Sequence, residues 1–177
     1  MNWQPAWYRN IWAPWRMEYI RNATKIKEEG CIFCKALTTK EKESLVLCKG
    51  NTAFIILNRF PYNPGHLMIA PLRHVSSLED LERDELSEIG VLIKIAILSL
   101  KKAYRPEGFN IGVNIGEVAG AGVPGHVHVH VVPRWNGDSN YMTVIGGAKV
   151  IPQSLEESYN LLKPIILEVA KGYELCK

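Results

Sequence analysis

The stretch GHVHVHVVPRW, residues 125–135, sets three of the five histidines at alternate positions, His126, His128 and His130. Residues i, i+2 and i+4 of a strand face one side, so this spacing predicts an imidazole face with successive rings about 6–7 Å apart. Val127, Val129 and Val131 then point the other way, toward a core. A neutral imidazole nitrogen with a pKa near its ordinary value of about 6.5 is a competent nucleophile at pH 7. Its neighbours can fix its tautomer, hold phosphate oxygens or protonate a leaving group. The competing chemistry is metal binding by a neighbouring pair. All three cannot easily reach one ion from a flat strand, because the outer two stand roughly 13 Å apart along the backbone. A second reactive set lies far upstream: Cys31-x-x-Cys34 has the spacing of half a zinc site, while Cys48 and Cys176 are isolated.

The chain that must position these groups has 177 residues, 47% of them hydrophobic and 22% charged. That is enough for one domain with a sizeable core and is ordinary for a globular protein. A net charge of +3, with acidic residues among the basic ones, makes no case for nucleic acid or membrane binding. The first twenty residues, MNWQPAWYRNIWAPWRMEYI, lack the pattern of a signal peptide. The longest apolar stretch, Val91 to Leu100, is broken by Lys94 and too short to span a bilayer. These features predict a cytoplasmic protein with reduced thiols, where a close Cys pair serves metal or redox chemistry.

Five strands are predicted: LVLCKG and TAFIILNRF joined by a KGNT turn, HLMIAPL after YNPG, then FNIGVNIG and HVHVHVVP. CIFCKALTTKEKES reads as a Cys-x-x-Cys turn and a polar loop. Ser77 with Asp80 forms a capping box for a long helix whose core face is Leu81, Leu86, Ile89, Ile93, Ile97 and Leu100. SLEESYNLLKPIILEVAKGY is a last helix, kinked at Pro164. Short turns between most strands predict an α+β fold, an antiparallel sheet of about five strands with the long helix and the C-terminal helix packed on it. GAGVPG, residues 120–125, fits G-x-G-x-x-G but opens a period-two strand and not a helix, which excludes a Rossmann phosphate turn. The loop is either a hairpin connection or a backbone cradle for phosphate, and the adjacent histidine strand favours the cradle.

HVHVHVV resembles the His-φ-His-φ-His-φ-φ signature of the histidine triad (HIT) superfamily of nucleotide hydrolases and transferases. The resemblance runs from Cys31 to about Trp135 through NRFPYNPGHLMIAPLRH and VNIGEVAGAGVPGHVHVHVVPRW. WAPWRMEYI, CIFC and PRWNGDSNYMTVIGGAKVIP resemble more narrowly the bacterial diadenosine tetraphosphate phosphorylase branch. The resemblance implies that His128 attacks the α-phosphorus to form a nucleotidyl-histidine, which phosphate or water then cleaves. It implies that His130 contacts the α-phosphate or the bridging oxygen. By the same resemblance Asn58 meets the ribose hydroxyls, Asn114, Gly120 and Gly122 hold phosphate oxygens, and Trp135 matches a tryptophan of the phosphorylase branch. Many hydrolases of the family carry Gln or Ser just before the triad. Here AGAGVPG offers no side-chain donor, which leaves phosphorolysis and hydrolysis both open.

The second half of the metal site falls to histidines. His74 and His126 would complete a Cys31–Cys34–His74–His126 zinc set, the alternative being a reduced, metal-free turn; some triad relatives and the related galactose-1-phosphate uridylyltransferases are similar. Four protein ligands make such a zinc structural, with no open position for substrate. His66 is assigned packing or hydrogen bonding. No organic cofactor is expected, and Mg²⁺ arrives with substrate if at all. Adenine dinucleotides are the expected substrates, with adenosine phosphoramidates the alternative and a zinc-stabilised nucleotide sensor the non-catalytic one. The chain divides into a Trp-rich arm (1–30), a catalytic domain (31–145) and a C-terminal helical extension (146–177). A homodimer or larger homo-oligomer is expected, with the arm's tryptophans docked on the domain or on a second subunit.

Overall fold

The structure is a computed structural model that describes residues 30–140, 143, 145 and 150–176. The tryptophan arm therefore lies outside the described residues. Five strands form one sheet in the order β1-β2-β3-β5-β4. They are β1 (Val46–Lys49), β2 (Ala53–Leu57), β3 (Leu67–Pro71), β4 (Gly108–Val113) and β5 (Val129–Arg134), and every neighbouring pair is antiparallel. β2 and β3 are buried at every position. Their uninterrupted apolar runs reflect a sheet covered on both faces at its centre.

One face meets two helices, α3 (Arg83–Tyr104) and α4 (Leu155–Lys171). Leu47, Ala53, Ile55, Leu57, Leu67, Ile69 and the valines at 127, 129 and 131 pack there with Ile89, Leu92, Ala96, Leu162 and Ile166. The valine side of the histidine stretch is thus the core side, as the alternation predicts. The opposite face is covered by a smaller cluster of Phe33, Ala36, Val46, Phe54, Ile56, Met68 and Ala70.

Three local expectations are corrected. Residues 32–38 form a helix, α1 (Ile32–Thr38), and a short helix α2 (Glu41–Ser44) follows, where a turn and loop were expected. The run IFCKALT contains good helix formers, and Phe33 and Ala36, three apart, bury one side of it. The capping box of α3 is made by Glu82 and Glu85, while Ser77 precedes a separate 3₁₀ turn (Leu78–Asp80). Glu85 is pinned there because Arg73 grips both its oxygens, at 2.8 and 2.6 Å. That choice moves the helix start to Arg83. The buried face is then Glu85, Ile89, Leu92, Ile95, Ala96, Ser99 and Leu100, with Ile93 and Ile97 at its margin and Leu86 exposed. α4 opens on a Ser154–Glu157 capping box and continues through Pro164 to Lys171.

The thiols are also not all reduced. Cys48 of β1 and Cys176, just past α4, form a disulfide across 128 residues of sequence, with Cα atoms 5.1 Å apart. Cys31 and Cys34 are free. Among the described residues no helix is long and apolar enough to cross a membrane.

Candidate active site and metal site

The antiparallel ladders assemble the site. β3 lies beside β5 with Met68 opposite His130, and β4 lies on the other side with Gly112 opposite His130 and Val113 opposite Val129. Glycine at 112 leaves open space beside His130, since a Cβ there would meet nothing within 4 Å. Asn114 follows Val113 directly, just past the end of β4. Its amide donates to the Gly120 carbonyl at 3.5 Å, closing the glycine loop beside the histidine stretch. Gly120 has φ +87°, a left-handed conformation that favours glycine, and Gly122 follows in the exposed part of the loop.

The histidines are not the open face that alternation suggests. His126 and His128 are buried, and only His130 is partly exposed. Each ring has a distinct partner. The Nδ1–H of His128 donates to the His126 carbonyl at 2.9 Å, so its Nε2 carries the free lone pair. The backbone N–H of Tyr62 donates to His66 Nδ1 at 3.1 Å. Neutral His66 therefore holds its proton on Nε2 and donates it to His130 Nδ1 at 3.0 Å. His130 in turn keeps its own proton on Nε2. A bare nitrogen on His128 and an N–H donor on His130 thus stand side by side, with ring centroids 4.8 Å apart.

Such a residue sequence, fold and ring arrangement invite comparison with known proteins. The HIT domain family matches residues 39–137, more than half of the chain. The chain belongs to the HIT domain family. It is 42% identical over 160 residues to AP-4-A phosphorylase of Mycobacterium tuberculosis (strain ATCC 25618 / H37Rv), covering 87% of this chain and 82% of that protein. It is 37% identical over 90 residues to the asymmetrical bis(5'-nucleosyl)-tetraphosphatase of Schizosaccharomyces pombe, covering 51% of this chain and 48% of that one. Among solved structures it resembles a hypothetical histidine triad nucleotide-binding protein of Sulfolobus tokodaii strain7, with a TM-score of 0.62 and 28% identity, covering 81% of this chain and 94% of that one.

Electrostatics in this HIT site favour neutral rings. Burial, then repulsion from His128, pushes His130 down to about 4. Burial, then His130 and His128, pushes His66 down to about 3. Burial also lowers His128, against the opposing pull of its hydrogen bond to the His126 carbonyl. All three are therefore uncharged at pH 7, the form in which His128 can attack and His130 can donate.

The cysteine pair meets His126, at the other end of the triad. Cys31, Cys34, His74 and His126 bring one ligand atom each within 4.8 Å of one another. Nδ1 of His126 lies 3.3 and 3.7 Å from the two sulfurs, and Nδ1 of His74 lies 3.4 Å from Cys34. Tetrahedral zinc with ordinary bond lengths would set sulfur and nitrogen about 3.5 Å apart, so the donor set fits. The remaining N–H of His126 donates to the Pro71 carbonyl at 2.9 Å, which leaves Nδ1 to face the thiols. Burial raises the Cys34 thiol, with Cys31 adding to the shift; a bound cation offsets this by favouring thiolate.

Two residues assigned to substrate lie differently from the rest. The Asn58 amide reaches His66 Nδ1 at 3.3 Å, and its oxygen accepts the Phe60 N–H at 2.9 Å, so it joins the His66–His130 pair. Trp135 sits at the far end of β5, its indole N–H donating to the Tyr104 carbonyl at 3.4 Å. There it lines a cavity of about 810 Å³ with Tyr104, Asn63 and Gln153. The hydrogen-bonding role expected of His66 is met by its bond to His130, whereas the contact of Phe33 with the triad was not foreseen. His66 was visible as a histidine after Pro-Gly, but its partner appears only once β3 pairs with β5.

Proposed function

We propose that the protein is a nucleotidyl transferase or hydrolase of dinucleoside polyphosphates such as diadenosine tetraphosphate, with His128 as nucleophile. The carrying observation is the pairing of a bare His128 Nε2 with a His130 N–H fixed by the Tyr62–His66 chain. Nε2 of His128 forms a bond to the α-phosphorus as the bond to the bridging oxygen breaks. His130 gives its Nε2 proton to that oxygen, and the polyphosphate leaves. In the second half the acceptor, phosphate or water, loses a proton to His130 as its oxygen displaces His128. Asn114 and the N–H groups around Gly120 and Gly122 hold phosphate oxygens, Asn58 the ribose, and Trp135 a more distant part of the substrate. The name of the mycobacterial relative favours phosphate as acceptor.

Cys31, Cys34, His74 and His126 hold zinc in this reading; the ion would supply a structural tie, since all four positions belong to protein. The catalytic unit spans residues 31–145, flanked by the tryptophan arm and the C-terminal extension. A homodimer is supported by β4, an edge strand with Ile111 exposed. A nucleotide substrate supports a cytoplasmic setting, while the Cys48–Cys176 disulfide weighs against it.

Incubation with diadenosine tetraphosphate, with and without inorganic phosphate, tests the reaction. ADP and ATP formed only with phosphate mean phosphorolysis; AMP and ATP in water mean hydrolysis. No turnover of any adenine nucleotide by the wild type sinks the enzyme reading.

A further inference from the structure

Phe33 lies between the two thiols and is fully buried, yet its ring faces the triad. Its centroid is 4.8 Å from the His128 imidazole and 5.1 Å from that of His126, at tilts of 41° and 47°. Its edge-on contact to Phe54, at 6.3 Å, backs it from the β2 side. His130 stands 4.8 Å from the His128 ring, nearly perpendicular to it. The single hydrogen bond to the His126 carbonyl fixes the tautomer of His128, but a ring held by one bond can still tilt about it. Two rings at van der Waals distance remove that freedom and keep water off the imidazole. Phe33 can do this because Cys31 is the N-cap of α1 and Cys34 lies in its first turn, so the thiol contacts to His74 and His126 fix the helix beside the triad.

We propose that Phe33 is a positioning residue for the nucleophile: it holds the His128 imidazole in the orientation from which Nε2 attacks. The proposal rests on His128 being the nucleophile. Small misalignments of a reacting group cost large factors in rate, so replacing this ring lowers the rate of the chemical step by about tenfold to a hundredfold. Substrate binding is left nearly intact, because Phe33 is buried beneath the imidazoles and presents no surface to a nucleotide.

The experiment follows formation of the nucleotidyl-enzyme by rapid quench with diadenosine tetraphosphate, in wild type, Phe33→Leu, Phe33→Met and Val46→Ala. Val46 belongs to the same apolar cluster on β1 and serves as the stability control. Phe33→Met keeps more of the side-chain length should the leucine variant fold poorly. The Nδ1–H proton of His128 is followed by NMR in the same proteins. The expected result is a tenfold or greater fall in adduct formation for both Phe33 variants, with KM within about twofold, and a broadened Nδ1–H signal. Val46→Ala lowers Tm without either change. Adduct formed at the wild-type rate by the Phe33 variants overturns the positioning role and leaves His128 standing as nucleophile. Absence of the adduct in wild type overturns both.

Discussion

His126 and His130 stand two residues to either side of the same imidazole, and the fold treats them in opposite ways. At His126 the ring turns Nδ1 to two thiols and donates from Nε2 to a backbone carbonyl, so both nitrogens are committed to structure. At His130 the ring accepts from His66 on Nδ1 and keeps an N–H for whatever stands in front of it. Thiol partners make one corner an anchor; an imidazole partner makes the other a proton donor. Identical residues four apart in the chain acquire different chemistry from the single atom each meets.

Substitution probes this contrast most directly where the effect is largest. His128→Ala removes turnover and the nucleotidyl adduct altogether; continued turnover would falsify the assignment of the nucleophile. His130→Ala lowers kcat by about 10²–10⁴, the usual value of a positioned acid, with Tm held within a few degrees. His126→Ala does the reverse in part: it lowers Tm and bound zinc per chain, measured by calorimetry and metal analysis, before any specific loss in the proton-transfer step. If both variants fall together in Tm and rate, the division of labour between the corners is wrong.

His66→Phe sharpens the donor corner. It retains bulk but removes the N–H that sets the His130 tautomer, and kcat is expected to fall by about tenfold to a hundredfold with little change in KM, read from steady-state kinetics.

pH probes the donor corner through the stability of the fold. The depressed values of His66 and His130, about 3 and about 4, mean that the unfolded chain binds more protons below its ordinary histidine pKa of about 6.5. Their contribution to stability is complete above pH 6.5 and is lost as pH falls toward 4 and then 3. Denaturant melts of the wild type should show this slope, and His66→Phe should flatten it.

The smallest effect lies outside both corners. Cys176→Ser opens the disulfide to Cys48 and removes about 2–4 kcal/mol of stability, lowering Tm by several degrees with turnover unchanged. Equal melting temperatures for wild type and variant in non-reducing buffer would show the bond unformed.

Much of this was legible without coordinates. Strict alternation in HVHVHVV is a local property of a strand, so the valine core side followed from period alone. The five strands, the last helix and the Cys-x-x-Cys pair are local in the same sense. The helical form of residues 32–38 was hidden because cysteine spacing suggested a metal turn, while the burial of Phe33 and Ala36 that supports α1 is a tertiary fact. The start of α3 was misplaced for a similar reason. Both Ser77 and Glu82 can cap, and Arg73 decided between them by binding Glu85.

By itself the sequence determined the alternation of the triad, the strand-rich α+β order and the pool of residues able to ligate metal or attack phosphorus. Only the tertiary structure decided how those residues divide. It set β3 and β4 against β5, brought His66 to His130, and closed α1 over His128 with Phe33. The reason is physical. Period and propensity act within a few residues, whereas a tautomer, a metal corner or a buried ring depends on which atoms the folded chain brings within a few ångströms across distances in sequence that no local pattern encodes.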